Sequence, residues 1–135
     1  MAKRIKRGLL LLFVDLDHLS QINDQHGHRT GDLALIEVAA VLKETFRESD
    51  VIGRLGGDEF VVLTVDVDQV SVDILTRRLQ EILAAHNREG RLPCDLSLSV
   101  GAAHCDSERP CSIDTLLSHA DLVMYEDKRK KSRGS

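Results

Sequence analysis

Two pairs of acidic residues stand where they could bind a metal ion. Asp58 and Glu59 follow two glycines in the stretch RLGGDEFVVL, and Asp15 and Asp17 follow the apolar run GLLLLFV. Carboxylates that approach each other repel unless a cation lies between them. Oxygen ligands suit Mg²⁺, which commonly binds one or two carboxylates together with the phosphates of a substrate. If Asp15 and Asp58 converge, they predict a magnesium site for a phosphate-bearing substrate.

The elements around these acids favour such a convergence. Residues 8–14 are apolar throughout, which is typical of a central strand covered on both faces, and Asp15 lies at its carboxyl end. Strand-like runs at 51–55 and 60–65 flank the two glycines and predict a tight hairpin, because glycine tolerates positive φ. Asp58 then lies at the hairpin, and it meets Asp15 if the first strand is a neighbour of the hairpin.

Patterns in the rest of the chain predict an α+β fold. Apolar residues recur at helical spacing over 31–46, with Asp32 at the expected helix start, and again over 72–83 and 116–124. Alternating apolar and polar residues over 95–100 predict another strand. The order is strand, helices, hairpin, helix, strand and helix. It predicts a mostly antiparallel central sheet flanked by helices.

Length and composition describe one globular domain. The 135 residues are 42% hydrophobic, 30% charged and 3% aromatic, which suits a single aliphatic core. We expect that core over residues 8–128, with charged and flexible ends at 1–7 and 129–135. The net charge of −4 gives no general case for a nucleic-acid or membrane partner. No nucleic-acid partner is therefore expected.

Cysteine usage and hydropathy favour the cytoplasm. The three cysteines, Cys94, Cys105 and Cys111, cannot form a complete set of disulfides and suit a reducing compartment. The longest apolar run, 9–14, is far shorter than the roughly 20 residues of a membrane span. We expect a cytoplasmic protein, or the cytoplasmic part of a larger sensor that could be bound to a membrane.

Several motifs, in order, resemble those of the GGDEF family of diguanylate cyclases. They are the DLD motif at 15–17, ND at 23–24, GHRTGD at 27–32, RLGGDEF at 54–60 and ADLVMYEDK at 120–128. The resemblance runs from about Leu9 to about Lys128. It implies a ferredoxin-like core related to nucleotidyl cyclase catalytic domains. It also implies an enzyme that joins two GTP molecules into cyclic di-GMP with loss of pyrophosphate.

The resemblance gives the acidic residues specific roles. Mg²⁺, or Mn²⁺ in its place, would be held by Asp15, by the backbone carbonyl of Leu16 and by Asp58. In two-metal phosphoryl transfer the ions neutralise charge at the phosphate and help to activate the attacking hydroxyl. Glu59 would position or deprotonate that hydroxyl.

The same resemblance assigns the guanine base to Asn23 and Asp32. Guanine presents an amino donor and a carbonyl acceptor, a pattern that adenine lacks. A carboxylate can accept from the amino group and the ring N–H, and an amide offers both a donor and an acceptor. The residues alone leave another reading open, in which Asp32 stabilises a helix N-terminus and Asn23 caps a turn. Gly56 and Gly57 would leave room for the nucleotide beside the backbone.

Two phosphate contacts of the family are altered in this chain. Leu19 and Ser20 stand where the family has Phe-Lys, and the missing lysine contact would contribute about 1.5 to 3 kcal/mol. Lys128 matches the family's closing motif, but Ser132 occupies its arginine position. Candidate substitutes for that arginine are Arg129, Lys131 and Arg133. We expect weaker GTP binding and a slow, rather than inactive, cyclase.

A product-inhibition motif is also present. Arg47 and Asp50 fit the R-x-x-D pattern with which some family members clasp a cyclic di-GMP dimer. The arginine fork suits phosphate oxygens and the guanine edge. Arg78 corresponds to a second inhibitory arginine in some members. The alternative is an exposed helix end with an ion pair.

The resemblance also implies partners and leaves other functions open. One domain binds one GTP, so a second GGDEF domain, in a homodimer, is required for catalysis, and a sensory domain is expected ahead of this chain. One alternative is a weak or inactive domain that binds GTP or cyclic di-GMP and regulates a neighbour. Another is a cyclase that makes a single-nucleotide cyclic product on the same fold.

Overall fold

The computed structural model describes residues 8–65, 69–105 and 112–134. The strands in these ranges form one antiparallel sheet in the order β2-β3-β1-β4, and helices pack on both of its faces. The predicted α+β architecture is therefore confirmed. The elements in chain order are β1 (Leu9–Leu16), α1 (Leu19–His26), α2 (His28–Thr45), β2 (Val51–Gly56), β3 (Glu59–Val65), α3 (Gln69–Glu89), β4 (Leu98–Cys105) and α4 (Ile113–Gly134).

The first strand is central and buried on both faces, as its apolar run predicts. β1 pairs with β3 on one side and with β4 on the other. Leu10 and Val14 pack into the larger core with residues of α2 and α3, whereas Leu11 and Phe13 pack against α4. Because side chains alternate along a strand, Asp15 follows Leu11 and Phe13 onto the α4 side of the sheet.

Some element boundaries differ from the sequence patterns. α2 begins at His28, so Asp32 lies inside the helix and not at its start. α1 is a separate short helix with one buried residue, which is too little for a periodic pattern to reveal. The last strand begins at Leu98 and not at 95. The segment before it is held by the Asn87 side chain, which exchanges hydrogen bonds of 2.9 and 2.8 Å with the backbone of Leu96.

The last helix lies directly on the edge strand β4. Gly101 faces the backbone of α4 at so short a distance that a methyl group there would overlap it. The Asp127 carboxylate of α4 accepts a hydrogen bond of 3.0 Å from the backbone N–H of Val100. This contact satisfies a donor of the edge strand. α4 also includes residues 129–134, which the sequence places in a flexible end.

The state of the cysteines and the hydropathy of the helices bear on the compartment that the sequence predicts. Cys94 is a free thiol, but Cys105 is disulfide-bonded, which the odd number of cysteines does not predict. Within the described ranges, none of the helices combines the length and the apolar character that crossing a bilayer requires.

A buried histidine joins the two helices that cover the larger core. The His86 side chain of α3 places Nδ1 2.5 Å from the Glu37 carboxylate, and its Nε2 contacts Glu44; both acids lie on α2. Arg91 donates to the same Glu37 oxygen at 3.2 Å. These hydrogen bonds to Glu37 and Glu44 raise the pKa of His86 above its ordinary value, although burial opposes the shift. Both ring nitrogens act as donors only when the imidazole is protonated.

This geometry predicts a pH-dependent stability. A raised folded-state pKa contributes stability that is complete below the unfolded pKa of about 6.5 and is lost as pH rises through the folded value. The His86→Gln variant should therefore be less stable than the parent by roughly 1 to 2 kcal/mol at about pH 6, and this difference should shrink by about pH 9. Urea unfolding at both pH values measures it.

The matched control for this prediction is His119→Gln, because His119 is exposed on α4. That substitution should change the free energy of unfolding little at either pH. A difference between parent and His86→Gln that stays constant from about pH 6 to about pH 9 would contradict a protonated His86 between the two carboxylates.

Candidate active site

The structure brings the two acidic pairs of the sequence to one edge of the sheet. Asp15 lies opposite Glu59 in the pairing of β1 with β3. One residue further, the backbone N–H of Leu16 donates to the carbonyl of Asp58 at 3.0 Å. The tip of the β2–β3 hairpin therefore lies beside the end of β1. This point brings together Asp15, Leu16, Asp58 and Glu59. It follows from the predicted arrangement, in which the first strand is a neighbour of the hairpin.

Asp15 has one carboxylate oxygen without a partner. The side chain is buried, and its Oδ2 accepts a hydrogen bond of 2.7 Å from Lys128 Nζ, whereas its Oδ1 is buried and has no hydrogen-bond partner. Burial raises the pKa of Asp15 to about 6, and repulsion by Asp58 adds to the shift against the opposing effect of Lys128. A cation at Oδ1 would relieve both the missing contact and the repulsion.

The donor set at this edge fits a hard divalent ion that shares its shell with a substrate. Among the residues that the structure describes, no group of three or more His, Cys, Asp or Glu side chains could hold a metal. Asp15 and Asp58 supply two carboxylates, which is fewer than the number of protein ligands that would enclose a metal ion completely. Two carboxylates completed by substrate phosphates is an arrangement that Mg²⁺ commonly adopts.

The glycine pair forms an open hairpin tip. Gly57 has a φ of 24°, and a methyl group at either Gly56 or Gly57 would meet no atom within 4 Å. The space beside this backbone is thus free for a ligand. Arg54 closes the hairpin, because its Nε and Nη2 donate to the carbonyl of Gly57 at 3.1 and 2.6 Å. Sequence reasoning missed Arg54, since nothing in residue type or spacing distinguishes it from another exposed strand residue.

The residues expected to bind the base lie on the two helices after β1. Asn23 is on α1, and its Oδ1 is buried without a hydrogen-bond partner. A methyl group at Gly31 would lie 1.8 Å from that oxygen, so α1 and α2 approach closely here because residue 31 is glycine. Asp32 is exposed on α2, inside the helix. Neither side chain caps the N-terminus of α1 or α2, where the cap residues are His18 and Gly27.

Asp32 lines an open pocket between α2 and the hairpin. The pocket has a volume of about 290 Å³. Its lining combines one carboxylate and one guanidinium with apolar walls: Asp32, Leu35, Ile36, Ala39, Arg54 and Phe60. Apolar walls with a few polar groups are typical of a small-molecule site.

The residues expected to contact phosphate differ in their surroundings. Leu19 packs against the larger core and Ser20 is exposed, both in the first turn of α1. Lys128 is engaged with Asp15; burial opposes its charge, but the hydrogen bond to Asp15 and the nearby carboxylates raise its pKa above the ordinary value. Arg129 lies 3.7 Å from Glu126. The side chains of Ser132 and Arg133 lie outside the described residues.

The R-x-x-D residues form a second, separate pocket. Asp50 accepts hydrogen bonds from the Arg47 backbone N–H at 2.8 Å and from Arg47 Nη2 at 3.3 Å, and Nη2 also donates to Thr64 at 3.2 Å. Burial opposes the charge on Asp50, but donors from Thr64 and Arg47 lower its pKa below the ordinary value. The pocket beside them has a volume of about 710 Å³. Arg78 is exposed on α3 and does not line it.

This second pocket and the acidic edge lie at opposite ends of β2. Asp50 immediately precedes the strand, and Gly56 ends it at the hairpin. Six extended residues span about 20 Å. A ligand in the second pocket would therefore not touch the acidic edge.

Comparisons with known proteins agree with the sequence motifs. Residues 1–134 match the family model described as "Diguanylate cyclase, GGDEF domain". The chain is 34% identical to the diguanylate cyclase DgcP of Escherichia coli, and the alignment covers 98% of this chain but 39% of DgcP. The chain thus spans about two fifths of the length of that relative.

Solved structures of GGDEF domains also match the fold of this chain. A truncated TpbB of Pseudomonas aeruginosa that comprises only the GGDEF domain matches with a TM-score of 0.77 and 34% identity, over 92% of this chain and 73% of that one. A microbial GGDEF domain studied with cyclic di-GMP matches with a TM-score of 0.74 and 31% identity, over 91% and 74% of the two chains. These matches confirm the predicted fold.

Proposed function

Because the chain belongs to the GGDEF domain family of diguanylate cyclases, we propose that it condenses two GTP molecules into cyclic di-GMP and pyrophosphate with Mg²⁺. The observation that carries this proposal is the buried Asp15 carboxylate, which interacts with the Asp58 carboxylate and has one oxygen without a hydrogen-bond partner. Burial and the nearby Asp58 disfavour the ionised form of Asp15, and a divalent cation at its unpartnered oxygen would offset both effects. Substrate phosphates would complete the shell of that cation.

The chemistry divides between the acidic edge and the bound ion. Asp15, Asp58 and the carbonyl of Leu16 would hold Mg²⁺, or Mn²⁺ in its place, and the bound ion would supply positive charge to neutralise the phosphate. The 3′-oxygen of one GTP forms a bond to the α-phosphorus of the other, and the bond to pyrophosphate breaks. Glu59, half-buried opposite Asp15, would orient the attacking hydroxyl and take its proton.

The pocket of Asp32 would select the base. Its carboxylate can accept two hydrogen bonds from the Watson–Crick edge of guanine, which adenine cannot donate in the same pattern. The unpartnered Oδ1 of Asn23 would gain a donor from the nucleotide. The open hairpin tip at Gly56 and Gly57 leaves space for the sugar and phosphates between these groups and Asp15.

Two domains must face each other for this reaction. Each domain holds one GTP, and each 3′-hydroxyl has to reach the α-phosphate in the other domain. We propose a homodimer, in which the second copy completes the reaction. The chain covers 39% of DgcP, so a sensory domain elsewhere in a longer protein is also part of the proposal.

Product identification tests the proposed function. The concentrated chain, incubated with GTP and Mg²⁺, should release pyrophosphate and give one product with the mass of cyclic di-GMP. A product with the mass of a single cyclic nucleotide would instead support the related cyclase reaction. GTP that stays intact would favour the second candidate function.

That second candidate is a receptor for cyclic di-GMP. The pocket of about 710 Å³ beside Arg47 and Asp50 supports it, because the pair is already oriented by hydrogen bonds to each other and to Thr64. The same pocket would serve product inhibition in an active enzyme. Turnover of GTP distinguishes these two functions, because a product-inhibited cyclase converts GTP and a receptor for cyclic di-GMP does not.

The Arg47→Ala substitution should weaken cyclic di-GMP binding at this pocket. A charge-assisted contact contributes about 1.5 to 3 kcal/mol, so the dissociation constant should rise roughly tenfold to a hundredfold. Calorimetry with cyclic di-GMP measures it. Arg77→Ala is the matched control and should bind as the parent does, since Arg77 is exposed on α3 and does not line the pocket. Equal loss in both variants would place the product elsewhere.

A further inference from the structure

Asp17 is buried beside the acidic edge, yet no step of the proposed chemistry uses it. The side chain is 4% exposed. Ser97 donates to its Oδ2 and Ser99 to its Oδ1, each at 2.7 Å, and Lys131 Nζ donates to Oδ2 at 3.1 Å. Its own backbone N–H donates to the carbonyl of Ser97 at 2.8 Å. Every oxygen of this carboxylate therefore has a protein partner, in contrast to Asp15.

The Lys131 ammonium also has protein partners at all of its donor positions. Its ammonium contacts Asp17, the backbone carbonyl of Leu98 and, at 3.5 Å, the hydroxyl of Ser97. A lysine has three N–H donors, and these three acceptors match that number. The acceptors belong to the end of β1 and to the start of β4. Lys131 thus binds the sheet.

Two ion pairs connect α4 to β1 side by side. Asp15 is the penultimate residue of β1 and Asp17 lies in the turn directly after that strand, whereas Lys128 and Lys131 are three apart on a helix and share a face. Lys128 pairs with Asp15 at 2.7 Å and Lys131 with Asp17 at 3.1 Å. A cation at Asp15 would compete with Lys128 for that carboxylate, whereas both oxygens of Asp17 already accept hydrogen bonds from the protein.

We infer that Asp17 and Lys131 anchor the end of α4 to β1 and β4. The anchor keeps Lys128, one helical turn earlier, within reach of the nucleotide phosphates once it has left Asp15. Asp17 and Lys131 are then positioning residues that act through Lys128, and Lys131 is not a phosphate ligand. The role of Lys128 in this inference rests on the proposed function, but the anchoring of α4 does not.

Binding of 3′-deoxy-GTP with Mg²⁺ tests the inference, because this analogue lacks the attacking hydroxyl and cannot react. Calorimetry should show weaker binding by about fivefold in both Asp17→Asn and Lys131→Met. In the Lys128→Met background, adding Lys131→Met should cause no further loss, since the anchor acts only through Lys128. Additive losses in the double variant would make Lys131 an independent phosphate ligand and would overturn the inference.

Amide hydrogen exchange of the nucleotide-free chain tests the anchor alone. Exchange over residues 126–131 should become faster in Asp17→Asn and in Lys131→Met, but not in Lys130→Met, which removes the charge of an exposed neighbour. Unchanged exchange in both anchor variants would overturn the inference, whatever the nucleotide does. Faster exchange in a chain that binds no 3′-deoxy-GTP would overturn the role of Lys128 and the proposed function, and leave the anchor supported.

Discussion

Replacing Asp58 with asparagine should reduce cyclic di-GMP formation by at least about a hundredfold. Asparagine keeps the size and one oxygen of the side chain but removes the charge that would hold the cation. Asp58 is half-buried at the hairpin, and its backbone carbonyl, which accepts from Leu16, is unaffected by the substitution. The rate of pyrophosphate release from GTP with Mg²⁺ measures the loss.

The same substitution has a second expected effect, on Asp15. Repulsion by Asp58 contributes to the pKa of about 6 at Asp15, so a neutral residue 58 should bring that pKa closer to its ordinary value. The folded state should not lose stability, since a repulsive contact is removed. NMR titration of the Asp15 carboxyl follows the pKa, and urea unfolding follows stability.

Asp24→Asn is the control for this prediction. Asp24 is an exposed carboxylate on α1, outside the acidic edge, and its replacement removes the same charge from the chain. We expect an activity close to that of the parent. Asp58→Asn with nearly full activity, or a loss of the same size in Asp24→Asn, would contradict a specific cation site at Asp15 and Asp58.

The Gly101→Ala substitution should destabilise the domain by about 3 kcal/mol or more. A methyl group at residue 101 would lie 2.0 Å from the carbonyl oxygen of Ala120 and 2.2 Å from the backbone nitrogen of Met124. These are backbone atoms of α4, which cannot rotate away as a side chain end could. The helix must therefore move off β4, and Lys128 and Lys131 move with it.

Gly53→Ala is the matched control, because Gly53 also lies in a strand. A methyl group there would meet only Val61 Cγ1, at an ordinary distance of 3.6 Å. The substitution should change the free energy of unfolding by less than about 1 kcal/mol, in either direction. Urea unfolding compares the two variants. Equal stability of Gly101→Ala and the parent would mean that α4 does not rest on β4 as the structure places it.

Periodicity and composition alone predict the parts of this fold that repeat a pattern over many residues. The apolar run 9–14 identifies β1 as a central strand, and the paired strand runs around Gly56 and Gly57 identify the hairpin. The convergence of Asp15 and Asp58 follows from these two elements. The sequence could not show that one oxygen of Asp15 lacks a partner, because that depends on where α4 and Lys128 lie.

Features that depend on single contacts between distant elements were not predictable. The Asn87 side chain holds the backbone of Leu96 and so delays the start of β4, although the alternation over 95–100 is typical of a strand. The pairing of Asp17 with Lys131 joins residues 114 positions apart. No periodic pattern connects such residues, so lysines that contact phosphate and lysines that contact protein are alike in sequence.

The formation of cyclic di-GMP by a dimerised chain tests the central claim most directly. Fusion to a parallel coiled coil brings two domains together and removes the dependence on chain concentration. With GTP and Mg²⁺, we expect one cyclic di-GMP for every two pyrophosphates, and no product when EDTA removes the metal. A dimerised, folded chain that binds GTP but yields no cyclic di-GMP with Mg²⁺ or Mn²⁺ would contradict the proposed function.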